Sequence, residues 1–200
     1  MYYKYQPFDL IVNHVENNST QTFKDGAAVF NLTANYAVVM LAFFIRRSEY
    51  EKSASSIYYG SRYYYGYTNQ CYVAGIPVTL FDGSTSSYLD PIDYCSIYLN
   101  GQDIMGNFAT GTYFTYQQAM EHGLAVPTKR INSYVFGFSP KEFNQGGLID
   151  FKKINSATSK VSIKFLRDYA PDIAANFSVS LYYYGYKKLS FSDGYATLAP

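Results

Sequence analysis

The chain has 200 residues, of which 48% are hydrophobic and 20% are aromatic, with 24 Tyr, 15 Phe and no Trp. Its 16 basic and 15 acidic residues leave a net charge of +1, which excludes the strongly basic surface that a nucleic-acid backbone attracts. The longest apolar run, AVVMLAFFI, is far shorter than the roughly 20 residues of a membrane-spanning helix. Tyr and Phe favour β-sheets, so we expect an all-β domain with surplus tyrosine for contact surfaces.

The N-terminal part of the chain predicts three strands that follow a short arm. Residues 1–7 (MYYKYQP) show no period and are interpreted as a linker or arm. A first strand region covers residues 8–23, and residues 28–33 alternate in the manner of a half-buried strand. Residues 37–45 are apolar throughout, which predicts a strand that is buried on both faces.

Residues 48–93 are dominated by Gly, Ser and Tyr and carry few strand signals. Long connections of this kind are usually functional or mobile. We expect the tyrosines of residues 57–67 to form an intersubunit or surface contact, and a self-packed surface loop is the equally weighted alternative. The tyrosines concerned are Tyr58, Tyr59, Tyr63, Tyr64, Tyr65 and Tyr67.

The next part of the chain predicts a short strand and the best helix candidate. Residues 95–99 form a strand that ends at the turn pair Asn100-Gly101. Residues 112–122 have helical spacing, and Gly123 is placed to follow as a C-cap. Four side chains share one face of this helix: Tyr113, Tyr116, Gln117 and Met120.

Residues 133–165 contain two alternating runs that flank a long connection. The first run places Tyr134, Phe136 and Phe138 on one face, and the second covers residues 161–165. The connection has a glycine pair at 146–147 and then several apolar residues, so it must pack onto something. Its anchoring residues are predicted to be Gly147, Leu148, Ile149, Phe151 and Ile154.

The C-terminal residues predict two further strands, at 177–181 and 189–191. The whole chain then contains about eight strands, one short helix and several long loops, without regular helices between the strands. This pattern is typical of an eight-stranded antiparallel jelly-roll sandwich, and we expect residues 1–200 to form a single domain.

Residues that could carry chemistry are few and scattered. His14 and His122 lack the spacing of metal ligands, and no nucleophile, phosphate-loop or zinc motif is present. The acidic residues Asp82, Asp90 and Asp93 lack the order of a calcium loop. We therefore expect no cofactor, no metal, no small-molecule ligand and no enzymatic activity. Cys71 and Cys95 are interpreted as free thiols, with a bridge between them as the alternative.

Several local motifs occur in an order that resembles a known family. Residues 97–101 (IYLNG), 113–114 (YF) and 134–140 (YVFGFSP) are similar to motifs of the C-terminal jelly roll of double jelly-roll major capsid proteins. That family occurs in nucleocytoplasmic large DNA viruses and virophages. Gly147, Phe151 and Ile154 match its following segment, whereas Lys153 replaces an Arg and Asp150 replaces an Asn.

The resemblance implies a structural protein of the virion. Two jelly rolls form one subunit, and three subunits form a pseudo-hexagonal capsomer of an icosahedral shell that is assembled in the host cytoplasm or nucleus. The implied partners are other copies in a homotrimer, an N-terminal jelly-roll half and other capsid proteins such as the penton, without direct contact to nucleic acid. This chain has the length of one jelly roll, so it is either half of a longer protein or a single-roll relative.

A second hypothesis is a β-sandwich module that binds carbohydrate or a receptor through exposed tyrosines. It predicts a monomer with a saturable ligand and stacking aromatic rings on one face. The capsid hypothesis instead predicts a protein that associates when its second half is supplied.

Overall fold

The computed structural model describes residues 8–24, 27–47, 72–73, 76–77, 92–106, 109–126, 131–138, 140, 147–165, 176–192 and 195–199. The tyrosines expected to form a contact between residues 57 and 67 lie outside this part of the chain. The strands are β1 (Phe8–Lys24), β2 (Ala27–Asn31), β3 (Ala37–Arg47), β4 (Tyr72–Val73), β5 (Ile76–Pro77), β6 (Ile92–Leu99), β7 (Gln102–Asp103), β8 (Asn132–Val135), β9 (Ile149–Asp150), β10 (Lys160–Phe165), β11 (Asn176–Ser192) and β12 (Tyr195–Ala199). The helical elements are a π-helical turn (Tyr113–Gln117), α1 (Gln118–Glu121) and a 3-10 turn (Phe151–Lys153).

Eight strands form two rows of four in the order β1-β11-β3-β8 and β2-β10-β6-β7. Strands β12 and β9 extend the first sheet by pairing with β11 and β3, and β4 and β5 pair separately. The chain alternates between the two rows from β1 to β2 to β3 to β6, and again from β7 through β8 and β10 to β11. All of these pairings are antiparallel. This path is that of a jelly roll, and it confirms the predicted fold class.

The core lies between the two rows and is built by period-two alternation. Strand β2 alternates strictly between exposed and buried residues, and Val161 and Ile163 of β10 are fully buried opposite it. On β3, the residues Leu41, Phe43 and Ile45 are buried, whereas the intervening side chains on the outer face are only half-buried. The prediction that this strand is buried on both faces therefore holds at Val38 and Val39 but is wrong at Ala42 and Phe44, which the described part of the chain covers only partly.

Strand β11 is a single strand of 17 residues, where the sequence predicted two shorter ones. It pairs with β1 along nearly its whole length, from Phe8 opposite Phe191 to Lys24 opposite Asn176. Gly185 does not break it. A Cβ at this position would lie 2.1 Å from the carbonyl oxygen of Ala37, so the glycine allows β11 and β3 to approach closely.

The predicted strand around Tyr134 is shorter than its alternation indicated. Strand β8 ends at Val135, and the side chain of Phe138 is 84% exposed, whereas Tyr134 and Phe136 are partly buried against the core. The Phe136 N–H still donates to the carbonyl of Val39 at 2.8 Å. The next residue, Gly137, packs closely against the backbone of Gly147.

The predicted helix forms as the π-helical turn followed by α1, and its packing face differs from the side that the sequence singled out. Gln118 is buried, where its Oε1 accepts the Val135 N–H at 2.9 Å and its Nε2 donates to the Tyr113 hydroxyl at 2.9 Å. Tyr116 and Met120 are exposed and line an open groove of about 500 Å³. Gly123 has φ +63° after the helix, as expected for a C-cap. The buried residues of the helix are Phe114, Thr115, Gln118 and Ala119.

Candidate assembly site

The segment of residues 147–154 is positioned by a contact between two glycines. A Cβ on Gly137 would lie 2.0 Å from the carbonyl oxygen of Gly147, and a Cβ on Gly147 would lie 2.4 Å from the Cα of Gly137. Gly147 also has φ +121°, a conformation that other residues rarely adopt. Both positions therefore require glycine, and the two backbones approach each other closely just after the end of β8.

After this contact the segment joins the first sheet through its backbone. Strand β9 pairs with the start of β3, where Ile149 lies opposite Val38. The Asp150 carboxylate then accepts the backbone N–H of Lys152 at 3.1 Å and caps the 3-10 turn. The Phe151 N–H donates to the carbonyl of Tyr36 at 3.2 Å. These bonds hold the segment across the start of β3.

The side chains of the segment divide between the core and the surface. Phe151 is only 3% exposed, and its ring packs edge-on against Phe136 at 5.9 Å and Tyr183 at 5.7 Å between ring centroids. Ile149 and Ile154 are partly buried against the same core. Leu148 is 45% exposed. Phe151 therefore packs within its own sandwich, and Leu148 is the residue of this group that is available to a neighbour.

The end of the segment is joined to the Asn-Gly turn between β6 and β7. The side chain of Asn100 accepts the Asn155 N–H at 2.8 Å, and the Asn100 N–H donates to Ser159 Oγ at 2.9 Å. Gly101 donates to the carbonyl of Thr158 at 3.0 Å. Asn100 has φ +51° and Gly101 φ +83°, the left-handed pair expected of this turn. Two motifs that lie far apart in the sequence thus form one hydrogen-bonded unit.

A polar cluster that the sequence did not indicate lies around Tyr36, whose carbonyl accepts the Phe151 N–H. Lys187 Nζ lies 3.1 Å from the Glu16 carboxylate and 4.5 Å from the centroid of the Tyr36 ring, and its side chain is only 13% exposed. His14 contacts the same carboxylate at 3.3 Å and meets the Tyr36 ring edge-on. Burial raises the pKa of the Tyr36 hydroxyl, with the negative charge of Glu16 as a smaller cause. His14 is thus a partly buried member of this cluster.

Within the described ranges, no group of three His, Cys, Asp or Glu side chains is arranged to hold a metal ion. His122 makes a 2.9 Å contact between its Nδ1 and the carbonyl of Phe138. Cys95 is a free thiol with a pKa raised by complete burial, and Cys71 lies outside the described residues. In the same part of the chain, no helix is long and apolar enough to cross a membrane.

A second surface lies on the outer face of the first sheet. Phe44 stacks on Tyr182 at 5.7 Å between ring centroids, and Tyr184 lies 6.4 Å from Tyr186. The three tyrosines are half-buried rather than covered. Alternation of Tyr182, Tyr184 and Tyr186 along one strand is the signal that could have indicated this face, but the sequence interpretation ended the strand before them.

The strand order, the closed core and the packed connecting segment define a jelly-roll domain that presents aromatic and apolar packing surfaces. Residues 5–188 match the sequence model of the family described as large eukaryotic DNA virus major capsid protein. Because this match covers most of the 200 residues, the chain belongs to that family of capsid proteins. Membership implies a structural role.

Individual relatives agree with this assignment. The chain is 35% identical over 69 residues to the major capsid proteins of Phaeocystis pouchetii virus and Chrysochromulina ericina virus, a stretch that covers 34% of this chain and 13% and 12% of theirs. It superposes on the PBCV-1 virus capsid with a TM-score of 0.64 and 19% identity, covering 98% of this chain and 52% of that one. For the Faustovirus major capsid protein the TM-score is 0.69 at 10% identity, with 92% and 34% covered. The chain thus spans about half the length of the PBCV-1 capsid chain and less of the others.

Proposed function

We propose that this chain is the C-terminal jelly roll of a viral major capsid protein and that it functions by assembly. A second, N-terminal jelly roll completes the subunit, and three subunits form a pseudo-hexagonal capsomer of an icosahedral shell. The observation that carries the proposal is the family match over residues 5–188 on a jelly-roll strand order. The half-length superposition on the PBCV-1 capsid chain supports the presence of a second roll.

The segment 147–154 is proposed as a rigid support for assembly contacts. Its backbone is held by the glycine contact and by Phe151, so the exposed Leu148 projects from a fixed base. A preformed surface loses little conformational entropy when it binds a neighbour. The half-buried tyrosines of β11 and the Tyr-rich residues 57–67 are proposed as further contact surfaces, because tyrosine supplies a large contact area.

The test is to express the complete reading frame and to measure the mass of the product in solution by light scattering. The proposal expects trimers with a hexagonal outline in negative-stain images. A complete subunit that remains monomeric at high concentration and binds a glycan saturably would contradict it and would favour the carbohydrate- or receptor-binding alternative.

A further inference from the structure

One end of the first sheet projects as a three-stranded wing, formed by residues 8–11 of β1, residues 188–192 of β11 and all of β12. The pairing is continuous across the three strands, since Leu10 lies opposite Leu189 and Leu189 lies opposite Leu198. Directly opposed residues of an antiparallel pair point to the same face. The register therefore fixes which side chains share each face of the wing.

The two faces of the wing differ in their polar side chains, although the opposite face also carries the exposed Ile11 and Tyr195. The opposite face carries charge, because Lys188 Nζ lies 2.7 Å from the Asp9 carboxylate there. It also carries polar Ser190 and Thr197, which are cross-strand partners. The other face, here called the apolar wing face, contains no polar side chain. It consists of Phe8, Leu10, Leu189, Phe191, Ala196 and Leu198.

The apolar wing face is not covered by the sandwich. Phe8 is 52% exposed, and Leu10 and Leu198 are each 47% exposed. Phe8 stacks on Phe191 at 4.7 Å between ring centroids, so the aromatic side chains already lie together on this face. Strict alternation with one purely apolar face is the pattern of a sheet that is packed on a second layer. The wing has this alternation, but among the described residues no second layer packs on its apolar face.

We infer that the apolar wing face docks on a second jelly-roll domain of the same capsid subunit, an inference that rests on the proposed function. The PBCV-1 capsid chain is about twice as long as the part of it that this chain covers. Strand β1 begins at Phe8 and β12 ends at Ala199, so the first and the last described strand residues both lie in the wing. A face without charge suits an apolar surface of another domain and not a nucleic acid or an acidic ligand.

The size of the face favours a tethered domain over a free second copy. Three strands at about 4.8 Å spacing and five residues at about 3.3 Å rise give a footprint of about 240 Å². A stable interface between free proteins buries about 800 Å² on each partner. A domain of the same chain needs much less contact area, because the connection raises its effective concentration.

The test compares hydrogen exchange of the wing in this 200-residue chain and in the complete subunit. The wing amides of residues 8–11 and 195–199 are expected to exchange at least tenfold more slowly in the complete subunit. Leu10→Asp should abolish that protection, since it places a charge in the contact. Ile11→Asp is the matched control, because Ile11 is the next residue in the strand and its own side chain lies on the opposite, exposed face. This variant should keep the protection.

Two outcomes would overturn the inference. One is equal exchange of the wing in the two proteins, and the other is a loss of protection that is the same for Leu10→Asp and Ile11→Asp. Trimers that form while the wing exchanges freely would overturn the wing contact and leave the capsid proposal intact. A protected wing in a subunit that never forms trimers would leave the wing contact intact and contradict the capsid proposal. If Leu10→Asp lowers the stability of the 200-residue chain itself as much as a core substitution does, the wing is covered by its own chain and the inference is wrong.

Discussion

The two halves of β11 carry the same alternation with opposite consequences. Val179, Leu181 and Tyr183 in the first half are at most 1% exposed, because β2, β10 and β6 form a second layer opposite them. Leu189 and Phe191 in the second half point to the same side of the same sheet and remain only half-buried. Alternation thus identifies the face of a strand, whereas the second layer decides whether that face contributes to stability.

The largest expected effect is in the sandwich, at Phe151. Phe151→Ala removes a buried ring that contacts Phe136 and Tyr183, and it should lower the free energy of unfolding by about 3–5 kcal/mol. Urea denaturation followed by circular dichroism measures this change. Leu148→Ala, in the same segment but exposed, should stay within about 0.5 kcal/mol. Equal losses for the two variants would show that the segment does not pack on its own core.

The next effect in size concerns the glycine contact. Gly137→Ala should destabilise the chain by about 2–3 kcal/mol, because its methyl group would collide with the backbone of Gly147. Gly123→Ala is the control, since no atom lies within 4 Å of its Cβ and only the left-handed φ costs energy, about 1 kcal/mol. Thermal unfolding of both variants tests the difference. A larger loss for Gly123→Ala would contradict the close approach.

A smaller effect is expected in the wing from the same kind of truncation. Phe8→Ala removes a ring stacked on Phe191, and it should cost about 0.5–1 kcal/mol, well below the loss at Phe151. Denaturation under the same conditions gives the comparison directly. A loss of 3 kcal/mol or more at Phe8, on the scale of a core aromatic truncation of about 3–5 kcal/mol, would mean that the wing is part of the core.

The smallest effect is electrostatic and concerns the outer face of the wing. The hydrogen bond from Lys188 holds the pKa of Asp9 below its ordinary value, with a further lowering from Ser190. Because the folded-state pKa is the lower one, the pair stabilises the wing above the unfolded pKa, and the stabilisation is lost as the pH falls through the folded pKa. NMR titration should show the pKa of Asp9 rising in Lys188→Met. An unchanged value in that variant would exclude the pairing.

Part of the candidate site could be read from the sequence. The glycine at 147, the apolar Phe151 and the Asn100-Gly101 turn were predicted, because each depends on a local property such as left-handed φ or the need to bury a ring. The contact of Gly137 with Gly147 and the bond between Asn100 and Asn155 were not, since they join segments that meet only in the folded chain. The assembly role of these residues stays a prediction.

The sequence by itself determined the period-two strands, the all-β class, the turn residues and the order of motifs that matches the capsid family. Only the tertiary structure decided that β11 is one strand, that Phe138 is exposed, that the helix packs through Gln118 and that the wing extends beyond the second sheet. The physical reason is that backbone preference and alternation are local, whereas burial depends on which distant segment lies opposite. A side chain can therefore point to the core side of a strand and remain exposed where no other described segment packs on it.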